Sequence, residues 1–114
     1  MKVSGTATAT TAAALAGAGS PADPPVATGS NDRSGLVTFG TGAAPTTGGQ
    51  VQVTFGTAFA LAPTVMITPA NGPTAGLLCA VDSVSTTGFS LFAGSAPAAN
   101  QADTHYGFYW QATD

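Results

Sequence analysis

Between Gln50 and Phe55 the chain alternates strictly, with Val51, Val53 and Phe55 on one side and Gln50, Gln52 and Thr54 on the other. A period of two marks a strand with one buried and one wet face; a helix would scatter those three apolar side chains around its axis. The same signal recurs in shorter pieces. Leu36 to Phe39 reads as a strand after the turn chemistry of Asn31-Asp32-Arg33-Ser34-Gly35. Thr64 to Thr68 alternates, with Val65 and Ile67 opposite Met66, and Pro69-Ala70-Asn71-Gly72-Pro73 closes it. Leu77 to Val84, Phe89 to Phe92 beyond the Thr87-Gly88 turn, and His105 to Ala112 bring the set to six. Residues 41–49 and 94–103 are loops rich in Gly, Ala, Thr and Pro. Short strands separated by turn clusters, with no helical period, predict an all-β fold: a six-stranded antiparallel β-sandwich over residues 31–114.

Before residue 30 that patterning is absent. Residues 4–20 run from alternating Thr and Ala into Ala and Gly, and Pro21-Ala22-Asp23-Pro24-Pro25 is a stiff spacer. Gly5, Gly17, Gly19 and the β-branched Thr residues oppose a helix here. Residues 1–30 are expected to form an N-terminal arm with too little to bury alone, suited to pairing as a strand with something else.

Small residues dominate throughout: 23 Ala, 18 Thr and 15 Gly fill about half of the 114 positions, while Leu, Ile, Val and Phe together number 21. A chain of this size is one domain with limited burial, and association between copies would supply more. Charge is scarce at 6% of residues, with two basic side chains and a net charge of -3. That leaves no electrostatic footprint for nucleic acid or an anionic membrane surface. No apolar run approaches the roughly 20 residues of a membrane span, and the Thr/Ala/Gly stretch after Met1-Lys2 lacks the apolar region of a targeting segment. One His, one Cys and five Asp, with no Glu, are too few for a metal cage or for a nucleophile with its own base. We therefore expect no metal, no cofactor and no enzymatic activity. Cys79, in the apolar run Leu77 to Val81, reads as a small buried hydrophobe.

Three segments together resemble the H-type lectin family. Val53-Thr54-Phe55-Gly56-Thr57-Ala58-Phe59-Ala60-Leu61-Ala62-Pro63-Thr64-Val65-Met66-Ile67 is similar to its strand, aromatic and Pro-x-Val signature. Ser83-Val84-Ser85-Thr86-Thr87-Gly88-Phe89 resembles its turn into a Gly-Phe strand, and Phe108-Tyr109-Trp110-Gln111-Ala112 its closing aromatic strand. The resemblance covers residues 50–112. It implies a six-stranded sandwich that associates as a parallel homotrimer, of a kind also found in bacteriophage tail fibres and other virion surface proteins. Ser30 to Thr38 with Gly40-Thr41-Gly42 is similar to segments of phage tail and appendage proteins. Two departures bear on function: Ala80 stands where the sugar-binding members carry a ligand-holding Arg, and the small-residue loop Ala93 to Ala102 replaces their Trp-His pair.

Five residues remain as candidate interface or ligand contacts. Asp32 and Arg33 form a turn pair that could also contact another molecule. Asp82, inside an apolar strand, must face water or a subunit seam. His105, without a local partner for acid-base work, belongs to a surface or interface. On the last strand, alternation places Tyr106, Phe108 and Trp110 in the core and Tyr109 with His105 outside or at a trimer axis. The expectation from these readings is a non-enzymatic virion structural protein: a trimeric capsid decoration or minor capsid protein of a tailed phage, assembled in the host cytoplasm. It would dock on the major capsid protein or another virion protein through its arm, and a chain ending just after the aromatic strand suggests no attached fibre shaft. The alternatives are a lectin-like receptor-recognition protein binding a glycan, and a tail-fibre or minor tail component.

Overall fold

The structure, a computed structural model, describes residues 10–20, 22, 25–28 and 33–113. Its strands are β1 (Thr11–Ala14), β2 (Val26–Thr28), β3 (Ser34–Phe39), β4 (Gly48–Thr54), β5 (Thr64–Pro69), β6 (Cys79–Asp82), β7 (Gly88–Ala93) and β8 (Tyr106–Thr113). A single helical turn, α1 (Gly72–Ala75), separates β5 from β6, and a 3₁₀ turn spans Ala16–Ala18. The strands form two four-stranded antiparallel sheets, ordered β1-β4-β7-β6 and β2-β3-β8-β5. Period-two alternation turns Val51, Val53, Phe89 and Leu91 of the first sheet inward to meet Val37, Phe39, Phe108 and Trp110 of the second. The Trp110 ring lies against Phe89 and Phe55, at centroid distances of 5.3 and 6.0 Å.

The strand count is eight among the described residues, against the six expected, and the two additional strands come from the segment expected to be an arm. β1 pairs with β4 from Thr11↔Thr54 to Ala14↔Val51, and β2 pairs with β3 from Val26↔Thr38 to Thr28↔Leu36. Each fills an edge that would otherwise present a row of unpaired N–H and C=O groups. The 3₁₀ turn is tied down by main-chain bonds: Leu15 N–H donates to Gln50 O (2.9 Å), Gly42 N–H to Ala18 O (2.8 Å) and Thr46 N–H to Gly17 O (2.9 Å). Gly17 is required here, since a Cβ would collide with the Gly49 carbonyl oxygen and lie 2.6 Å from Gln50 Nε2. Residues 1–9 of the expected arm lie outside the described residues.

Gln50 departs from the alternation that begins with it. The β4–β7 register shifts between Gly49 and Val51, so Gln50 is an extra residue in its strand and is fully buried instead of wet. Its Nε2 donates to Thr46 O (2.8 Å) and Gly48 O (3.0 Å). At the Asn71 turn, the Asn71 side chain caps α1 by accepting from Thr74 N–H (3.1 Å) and from Thr74 Oγ1 (2.7 Å). Thr74 Oγ1 in turn accepts from Gly107 N–H (2.8 Å), fastening α1 to the start of β8.

Candidate functional site

The outer face of the β2-β3-β8-β5 sheet carries a groove of about 470 Å³. Its position follows from register. Leu36 on β3 and Thr68 on β5 flank Tyr109 on β8, while Ser34 and Met66 flank Gln111. Because Val37, Phe108 and Trp110 point inward, this second set of side chains must point outward. Tyr109 is 53% exposed and Met66 60%, so a large aromatic face and a thioether lie open beside the Gln111 carboxamide, with the Ser34 and Thr68 hydroxyls on opposite sides of β8. Among the described residues, none that lines the groove is charged. The Trp110 ring faces the interior, where its Nε1 has no hydrogen-bond acceptor.

The other candidates are dispersed. Asp82 is exposed on the outer face of the opposite sheet, where its Oδ1 accepts from Ser83 N–H (2.9 Å) in a turn with Ser83 at φ 53°. That carboxylate shapes the end of β6. Arg33 precedes β3, and its carbonyl accepts from Ala112 N–H (2.8 Å). Asp32 lies outside the described residues. His105, half-buried, stands edge-on to the Tyr106 ring (centroids 4.6 Å apart) and its carbonyl accepts from Asn71 Nδ2 (3.2 Å). Of the candidates among the described residues, Tyr109 alone lines the groove.

Sequence reasoning missed Leu36, Met66, Thr68, Gln111 and Ser34 as companions of Tyr109. Their alternation was readable, but which strands flank β8 was not, because β3 and β5 are distant in sequence and reach it only through the crossing of connections between sheets. Cys79 is half-buried against the core, with Sγ 3.6 Å from the Thr74 carbonyl oxygen, and burial pushes its thiol pKa up. A raised pKa keeps the thiol protonated and unreactive. Among the described residues no group of three or more His, Cys, Asp or Glu side chains is gathered to hold a metal ion, and no helix is long and apolar enough to cross a membrane. No family model, no curated protein and no solved structure matches the chain.

Proposed function

We propose that this chain is a non-enzymatic structural protein of a virion surface, a capsid decoration or minor capsid component of a tailed phage that associates as a homotrimer and docks through its N-terminal arm. The observation that supports it most is the way β1 is attached. Thr11, Ala13 and Ala14 are exposed and only Ala12 is half-buried, so the strand is held on β4 by its main chain with little side-chain burial. Such a strand is portable: the same ladder can be made to an edge on a neighbouring subunit or on the shell, with no requirement for complementary side chains. The isolated chain covers its own β4 edge with β1, and on the particle the arm transfers to another molecule's edge. The scarcity of charge fits a surface that is covered by other protein.

The attachment of β1 sets what truncation does. Removing residues 1–25 takes away β1 and the 3₁₀ turn, opening β4 and uncovering Gln50, so the shortened chain should self-associate through the bared edge. The direct test is position and copy number on intact particles, read by quantitative mass spectrometry of purified virions. Recovery in multiples of three per capsid site supports the assignment, and absence from particles contradicts it.

A further inference from the structure

We propose that the free edge of β6 accepts the Thr/Ala repeat of a second copy, residues 4–9 of that copy adding as a further strand to the β1-β4-β7-β6 sheet. The four edges of the sandwich are not equivalent. β1 and β2 lie together at one side of it, and β5 and β6 at the other. On the first side the edge strands lay the small side chains of Ala12 and Ala27 against the core, and Val37, Val51 and Val53 on the strands behind them are fully buried. On the second side the outermost strands themselves carry larger apolar side chains. Val65 and Ile67 on β5, with Cys79 and Val81 on β6, pack against the core but are only half-buried. Among the described residues, no strand of small side chains shields that side.

Main-chain direction then separates β6 from β5. Ala70 N–H donates to Gly107 O (2.9 Å), so Thr64, Met66 and Thr68 bond towards β8, while Pro63, Val65, Ile67 and Pro69 turn their main chains to the free edge. Proline has no N–H, so the β5 edge offers donors at Val65 and Ile67 with a block at either end. Gly94 N–H donates to Leu78 O (3.2 Å), so Ala80 and Asp82 bond towards β7, and Cys79 and Val81 present their N–H and C=O groups to the edge. No proline interrupts β6, and an unguarded edge is a template for another strand. Ser4-Gly5-Thr6-Ala7-Thr8-Ala9 suits it. Alternation puts Ala7 and Ala9 on one face, small enough to lie over Val81 and Ile67, and the β-branched threonines on the other.

The repeat must come from another molecule. It directly precedes β1, which stands four strand spacings from the position beside β6, about 19 Å in all. The five residues from Thr6 to Thr11 reach at most about 18 Å when fully extended, so the repeat cannot lie along its own β6. In this contact β1 keeps its ladder on β4, which makes it separate from the transfer of β1 proposed above. It is also heterologous, joining copies in a ring or a row.

The test is residue-resolved amide exchange, read by NMR on the full chain and on a variant lacking residues 4–9, which retains β1 to β8. In the concentrated full chain the Cys79 and Val81 amides should exchange at least about tenfold more slowly than in the shortened chain, and dilution should remove the difference. Ala80 and Asp82, bonded to β7, should stay protected in both and report that the fold is intact. Unlabelled full chain added to isotope-labelled shortened chain should restore protection at Cys79 and Val81. Equal exchange at these two amides in both chains overturns the proposal: slow in both marks β6 pairing with β6 of another copy, and fast in both marks an edge left to water. Protection in the full chain that survives dilution, with none restored on mixing, overturns it too by marking an intrachain strand. No particle enters the experiment, so its failure leaves the virion assignment to the copy counts in purified virions.

Discussion

Thr74 shows how much one hydroxyl can carry in a chain with few large side chains. It is fully buried, and it links the Asn71 cap to the Gly107 N–H through one oxygen that donates to the first and accepts from the second. Thr74→Val keeps the shape but leaves that buried N–H without an acceptor, so denaturant unfolding should show a loss of about 1–3 kcal/mol. Thr74→Ser should lose less, because the hydroxyl remains. Cys79 makes a prediction in pH. Burial raises its pKa in the folded chain, so the unfolded chain releases this proton first. The stability linked to it is intact below the unfolded thiol's pKa and is lost as pH rises through the folded value. Urea midpoints should fall across that alkaline window in the wild type and fall less in Cys79→Ala.

At the level of elements, the strands with clear contrast between apolar and polar positions were legible. β8 is the best instance: alternation alone separates Tyr106, Phe108 and Trp110 from Tyr109, and the structure buries the first three and exposes the last. Gln50 was not legible, since a bulge is defined by the partner's register and β7 lies some forty residues away. β1 was not legible as part of this molecule's own sheet either. Thr and Ala have too little contrast to mark a face, and what fixes the segment is its main-chain ladder to β4 together with the close fit of Gly17 against Gly49 and Gln50. Gly17→Ala should therefore loosen this segment selectively. Amide hydrogen exchange is expected to rise in residues 11–18 and along the paired edge of β4, while β8, bonded between β3 and β5, keeps its protection. Uniform exchange in wild type and variant would show that the turn is not what anchors β1.

For the whole molecule, the groove and the N-terminal strands occupy different places on the fold. The fold is a two-sheet core in which one edge strand of each sheet comes from its own N-terminal region, and the groove lies over β3, β8 and β5, away from β1 on the opposite sheet. Transfer of the arm to a neighbour would exchange one main-chain ladder for another of the same kind when the bared β4 edge is filled in turn by the arm of another copy. The proposed trimer and particle location rest on the resemblance of residues 50–112, and the way β1 is attached offers a mechanism for the proposed docking.

The most direct measurement is a disulfide trap of that strand. Thr11 and Thr54 are register partners with exposed side chains, so cysteines placed at both, in a Cys79→Ala background, can close across the β1–β4 ladder. If β1 covers its own β4 edge and transfers on docking, oxidation of the isolated chain gives an intrachain crosslink without oligomer-sized products, the oxidised chain no longer binds virions, and reduction restores binding. Failure of the pair to crosslink within one chain, or equal particle binding by the oxidised and reduced forms, would contradict it.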